Sequence, residues 1–186
     1  MTSALLIGDT HIPERASAIP EPLQRVAASR GFDFVLCTGD LTSGEVLEYL
    51  QSLRGDLRVV AGNMDYLPFP LSDAVVMGRM RVGLTHGTQV RPRGDVQGLV
   101  HVASHMGVDV LVTGHTHSLS VDRVVGGSGR VLLLNPGSAT GVWGGGVSSG
   151  VPSLLILEVD SSGMRVEACE LRGGVLDRRI FDVARL

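Results

Sequence analysis

The sequence predicts an α/β fold in which two β-sheets face each other with helices packed outside them. Three observations carry this. In the first half of the 186 residues, short apolar runs rich in β-branched residues alternate with stretches whose apolar side chains recur at helical spacing. Beyond residue 118 the alternation gives way to paired strand-like runs joined by Gly- and Ser-rich turns. Five of the runs end in a short Gly-containing cluster that carries Asp, Asn or His. Open α/β sheets gather their ligands at the carboxyl ends of strands, so these side chains are expected on one rim.

The elements follow in order. Residues 4–8 form a strand that leads into Gly8-Asp9-Thr10-His11. Ile19-Pro20-Glu21-Pro22 opens a helix, because Pro suits a first helical turn. Leu23, Val26 and Ala27 give that helix an apolar stripe, and Gly31 ends it. Phe34-Val35-Leu36-Cys37 is a strand leading into Thr38-Gly39-Asp40. Ser43 caps a helix with Val46, Leu47 and Leu50 inward, closing near Gly55. Residues 57–61 lead into Gly62-Asn63-Met64-Asp65. Residues 73–85 read as a hairpin around Met77-Gly78-Arg79, with Thr85-His86-Gly87 at its end. Asp95 caps a helix bearing Leu99, Val100 and Ala103, which Gly107 stops. Residues 108–112 lead into Gly114-His115-Thr116-His117. Residues 119–134 form a hairpin through Gly126-Gly127-Ser128-Gly129, and residues 152–160 and 164–171 pair around Ser161-Ser162-Gly163. The Gly-rich stretch 141–150 reads as a flexible loop, not a boundary, since strands resume after it. With no repeat or linker, residues 1–186 are expected to form a single domain.

Composition narrows the function classes. A hydrophobic content of 44% fits a compact globular protein, not a disordered one. No apolar run approaches the roughly 18 residues that cross a membrane. Asp9 already belongs to the predicted rim, which leaves no room for a cleaved leader and points to a cytoplasmic location. Cys37 and Cys169 sit in strand-like runs and read as buried thiols of a reducing compartment. Net charge is −3 and all 16 basic residues are Arg. No basic block supports wholesale nucleic-acid binding.

The rim collects Asp9, His11, Asp40, Asn63, His86, His115 and His117. This mixed oxygen and nitrogen set suits divalent transition metals. His115 and His117, two apart at a strand end, can turn both imidazoles toward one point. Asp65 is expected to fix the loop or orient a ligand. Asn135 to Ser138 reads as a structural turn beside the site. His101 and His105 lie one helical turn apart without a third ligand, which favours a solvated helix face. Thr10 and Gly87 are candidates to offer backbone or hydroxyl donors to a phosphate. Arg91 and Arg93 either hold a phosphate or form an exposed basic loop. Trp143 either stacks on a base, an aryl group or a partner, or plugs the edge of the sandwich.

The ordered motifs resemble the calcineurin-like metallophosphoesterase superfamily over nearly the whole chain. Within it, Gly8-Asp9-Thr10-His11-Ile12-Pro13, Cys37-Thr38-Gly39, His86-Gly87-Thr88-Gln89-Val90, Gly94-Asp95 and Asn135-Pro136-Gly137-Ser138-Ala139-Thr140-Gly141 are most similar to one branch. That branch holds small archaeal and bacterial phosphodiesterases and the phosphoesterase-fold subunit of the retromer (vacuolar sorting) complex. The resemblance implies a four-layer α/β/β/α sandwich of two mixed β-sheets. It implies that Asp9, His11 and His117 bind one metal, that Asn63, His86 and His115 bind another, and that Asp40 bridges them. A hydroxide between the metals would attack the phosphorus of a phosphate-ester substrate in line, with a phosphodiester expected. Mn²⁺ is the expected ion, and Zn²⁺, Fe²⁺ or Ni²⁺ suit the same donors. The sequence departs from the superfamily at Met64, where a proposed general-acid His often stands. That departure implies better turnover of activated aryl esters. The rival expectation is a retromer-like scaffold with a vestigial metal site and a protein partner. In such relatives some ligands are typically replaced, whereas here every ligand position is kept.

Overall fold

A computed structural model describes residues 1–126, 129–146 and 148–184. It shows two mixed β-sheets stacked face to face, with helices on their outer faces. The first half alternates as expected: β1 (Thr2–Ile7), α1 (Glu21–Ala28), β2 (Phe34–Cys37), α2 (Gly44–Ser52) and β3 (Asp56–Val59). The hairpin of β4 (Ser72–Met77) and β5 (Met80–Thr85), then α3 (Val96–Met106) and β6 (Val110–Val112), continue the chain. β7 (Leu119–Gly126), β8 (Gly129–Pro136), β9 (Ser153–Val159), β10 (Gly163–Arg172) and β11 (Val175–Ala184) complete it.

The sheet orders are β11-β10-β9-β1-β2-β3 and β4-β5-β6-β8-β7. β1, β2 and β3 run parallel, as do β5, β6 and β8, so their carboxyl ends share a direction within each sheet. Alternation along β1 explains the layers. Ala4 and Leu6 enter the core between the sheets with Leu84, Val112 and Leu134. Leu5 and Ile7 point the other way, against Leu23 and Val26 of α1 and Val46 and Leu50 of α2. On the far side, Leu99 and Ala103 of α3 pack on Leu111, Val131 and Leu133. Period-two strands and one-faced helices therefore create three apolar layers from one chain.

Local chemistry sets the ends. Ser43 Oγ accepts the Val46 N–H (3.5 Å) at the start of α2, and Asp95 accepts the Gly98 N–H (2.7 Å) at the start of α3. Gly107 closes α3 in the left-handed conformation (φ 63°). Two helices stop earlier than the glycines suggest. α1 ends at Ala28, where Ser29 Oγ caps the Val26 carbonyl (2.8 Å), not at Gly31. α2 ends at Ser52 because Leu53 turns extended and buries its side chain.

β11 is an element the sequence pattern did not reveal. Asp177, Arg178, Arg179 and Asp182 break its apolar alternation, yet Arg178 and Arg179 pair across to Glu167 and Glu170 of β10. The expected tip of the β7–β8 hairpin includes Gly127 and Ser128, which lie outside the described residues, as does Val147 of the Gly-rich loop. Both cysteines are free and buried, as expected. Among the described residues no helix is long and apolar enough to cross a membrane.

Candidate metal centre

The parallel strands end at one seam between the sheets. β1 delivers Asp9 and His11, β2 delivers Asp40, and β3 delivers Asn63. From the facing sheet β5 delivers His86, and β6 delivers His115 and His117. Two contacts close the seam: the His115 N–H donates to Asp9 Oδ2 (3.0 Å), and His86 Nδ1 meets the Thr38 carbonyl (2.7 Å).

Asp9, His11, Asp40 and His117 are all buried and offer ligand atoms within 4.8 Å of one another. His11 Nε2 lies 3.2 Å from His117 Nε2 and 3.3 Å from Asp40 Oδ2, and His117 Nε2 lies 3.3 Å from Asp9 Oδ1. A divalent ion with tetrahedral bonds of about 2.0–2.1 Å sets its donors about 3.3–3.4 Å apart. The donor set therefore fits such an ion. Asp40 Oδ2 also lies 3.4 Å from His86 Nε2, which in turn lies 3.3 Å from Asn63 Oδ1. One carboxylate oxygen thus faces imidazoles on two sides. His115 joins this second group through its ring, whose centroid is 5.0 Å from that of His86. Asn63 is exposed, so this half of the rim opens to solvent.

The backbone is bent to achieve this. Asp9, His11, Asp40, His115 and His117 all have positive φ, between 47° and 69°. Each such non-Gly residue costs about 1–3 kcal/mol and persists only where surroundings enforce it. Asp65 supplies much of that enforcement. Its carboxylate accepts the N–H groups of Asp40, Leu41 and Gly62, each at 2.8 Å, as expected of a loop-fixing residue. Asp40 Oδ1 is held by the Met64 N–H (2.8 Å), a contact that does not depend on the side chain at 64.

Carbonyl partners fix two tautomers. The Thr38 carbonyl can only accept, so His86 donates from Nδ1 and presents Nε2 to the rim. The Val142 carbonyl does the same for His117 (2.7 Å). Burial opposes charge on His86, yet its hydrogen bond to Asp40 and the fields of Asp9 and Asp40 hold its pKa up at about 9. His115 is pushed down to about 4 by burial and by the charges of His86 and Arg93. His11 is also lowered, chiefly by burial, against the pull of Asp40. Burial raises the Asp40 carboxyl, but the hydrogen bond and charge of His86 prevail and hold it below its ordinary value.

Other candidates sort by contact. Asn135 Nδ2 donates to the Gly114 carbonyl (2.9 Å) and Ser138 Oγ to the Asp9 carbonyl (2.7 Å), so this turn braces the rim. The Thr10 hydroxyl is not free to meet a phosphate: the residue is buried, and its Oγ1 donates to the Leu41 carbonyl (3.2 Å). His101 and His105 lie exposed on α3. Arg93 is not a loose basic residue, since its Nη1 donates to the carbonyls of His115 (3.2 Å), Gly144 and Gly145 (2.9 Å). Trp143 does not plug the sandwich; it is 67% exposed. Sequence reasoning missed Arg15, which follows His11 by four residues and donates to the Trp143 carbonyl (2.9 Å). Its place in the Asp9 loop was the only available signal.

Residues 3–162 match the model of the calcineurin-like phosphoesterase superfamily domain, and the chain belongs to that family. A probable metallophosphoesterase of Methanothermobacter thermautotrophicus is 38% identical over 172 residues, covering 91% of each chain. Vps29 of Entamoeba histolytica is 34% identical. A single mutant of it superposes with a TM-score of 0.90 over 98% of this chain and 99% of that one. The wild-type form complexed with Zn²⁺ gives 0.87 over 97% and 99%. Chaetomium thermophilum Vps29 complexed with a cyclic peptide is 28% identical, with a TM-score of 0.80 over 98% and 95%.

Proposed function

We propose that this protein is a dinuclear-metal-dependent phosphodiesterase. The observation that carries this reading is the position of Asp40 Oδ2, within 3.4 Å of imidazole nitrogens on both sides. Asp9, His11 and His117 would complete one cation site around Asp40, and Asn63, His86 and His115 the other. Divalent cations, when bound, supply positive charge for the phosphoryl oxygens and an acidified water for in-line attack on phosphorus. Mn²⁺ is the proposed ion, and the Zn²⁺ complex of the Entamoeba relative keeps Zn²⁺ as the alternative.

The chain's own groups do the remaining work. His86 and His117 present Nε2 because the Thr38 and Val142 carbonyls hold their Nδ1 protons. Asp65 keeps the Asp40 turn in its strained form. Met64 has no proton for a leaving group, so esters of acidic alcohols should turn over best. The buried free thiols fit a reducing cytoplasm.

A second reading, a protein-binding scaffold, is favoured by one feature. Tyr66 and Leu71, each 79% exposed, follow the Asn63 cluster and place apolar surface beside the rim. The two readings separate by experiment. Metal-stripped protein should hydrolyse bis(p-nitrophenyl) phosphate only when Mn²⁺ is returned. Outer-shell partners of metal sites are worth about 10–100-fold, so Asp40→Asn should cost about 100-fold or more. Folded protein with no release under any divalent metal would leave the scaffold reading standing.

A further inference from the structure

We infer that Arg93 is a positioning residue of the metal centre: it pins the glycine-rich strap of residues 142–146 so that His117 keeps Nε2 turned to the rim. The inference rests on the cation-binding reading of the rim and adds a residue to it. The strap lies against His117. The Val142 carbonyl accepts from His117 Nδ1 (2.7 Å). A Cβ added at Gly144 would stand 2.4 Å from His117 Cδ2 and 2.8 Å from its Nε2, so the main chain passes beside the ring itself. Whatever holds this backbone therefore sets which nitrogen His117 presents.

The strap has little of its own to hold it. Gly144, Gly145 and Gly146 bring no side chains and much conformational freedom to lose. Trp143 is 67% exposed, and its indole N–H donates back to the Gly146 carbonyl (3.2 Å), within the strap. At the entry the Val142 N–H donates to Ser138 Oγ (3.3 Å). Beyond that point two arginines take the next three carbonyls. Arg15 Nη1 donates to that of Trp143 (2.9 Å), and Arg93 Nη1 to those of Gly144 and Gly145. The same Arg93 nitrogen donates to the His115 carbonyl (3.2 Å). Arg93 thus fastens the strap to the loop whose His117 the strap orients. Geometry and charge predict opposite signs for its removal. Arg93 is exposed, so its cation repels a bound cation only through screening solvent. Charge alone would make metal binding slightly tighter once Arg93 is gone, whereas positioning makes it weaker.

The test measures Zn²⁺ affinity by calorimetry on folded, metal-stripped wild type, Arg93→Met, Gly144→Ala and the double variant. It also reads the His117 tautomer of the metal-free proteins by ¹⁵N NMR, at one fixed pH where the ring is neutral. Wild type should carry the His117 proton on Nδ1. Arg93→Met should weaken Zn²⁺ binding by about 10-fold or more, the scale of a lost outer-shell contact, and give a mixture of the two tautomers. Gly144→Ala should also weaken binding, because its methyl group meets the ring. A strap already loosened yields to that methyl group, so the double variant should cost little more than the larger single loss. Zn²⁺ binding unchanged or tighter in Arg93→Met, a tautomer that stays fixed, or fully additive losses would overturn the inference. Wild type that takes up no Zn²⁺ would remove the cation reading itself, and the tautomer comparison would still decide the role of Arg93. Hydrolysis enters none of these readouts, so loss of the phosphodiesterase reading leaves the result standing.

Discussion

His86 shows what a single residue contributes and how far a sequence can announce it. Its place after an apolar run made it a candidate, as did the same placement of Asp9, Asp40, Asn63 and His115. Its hydrogen-bonding state was not legible, because the carbonyl that fixes its tautomer belongs to Thr38, 48 residues away. The positive φ values of five candidate ligands were hidden for the same reason: Asp65 imposes one of those turns from another loop. The metal-free protein should reveal His86 through pH. Its pKa is raised from 6.5 to about 9, so it contributes stability that is complete below about pH 6.5 and is lost as pH climbs through about 9. His115 runs the other way. Held at about 4, it stabilises above about pH 6.5 and loses that contribution as pH falls through about 4. Urea unfolding of metal-free protein should show stability falling between pH 6.5 and 9, and His86→Gln should flatten that fall. An unchanged slope in the variant would assign the effect to other groups.

The strand-end turns are the elements that turn spacing into a site. The runs before them were readable because strands have period two and helices do not. The glycines within them were readable as turns, but their tightness was not. A Cβ on Gly62 would lie 2.0 Å from Asp40 Oδ1, and one on Gly114 would lie 2.6 Å from Asp9 Oδ2. Such approaches require the absence of a side chain. Gly62→Ala should therefore displace the Asp40 carboxylate and reduce metal affinity by about 10-fold or more, the scale of a lost outer-shell contact. Circular dichroism should stay native, and metal retention after dialysis gives the readout. β11 marks the limit at this scale. Gly173 and Gly174, with φ of 56° and 81°, form the kind of two-glycine turn that favours hairpins. The turn signal was present, but charges that pair with Glu167 and Glu170 masked the strand behind it.

At the scale of the whole molecule, the change from α/β alternation to hairpins was enough to anticipate two sheets with helices outside. Strand order was not, since β9 joins β1 from a distant part of the sequence and only the folded register sets that pairing. The consequence for function is that the rim gathers candidate ligands from both sheets, so a bound cation would tie one sheet to the other. Ligand linkage at 100 times Kd adds about 2.7 kcal/mol. For a chain of this size that raises Tm by about 5–10 °C. Thermal unfolding with and without Mn²⁺ should show this shift, and Asp40→Asn should lose most of it. The most direct measurement is hydrolysis of bis(p-nitrophenyl) phosphate by metal-stripped protein as Mn²⁺ is returned in counted equivalents. A pair of cation sites bridged by Asp40 predicts little turnover over the first equivalent per chain and a rise to a plateau over the second. Full turnover at one equivalent, or none at any loading of folded protein, would contradict it.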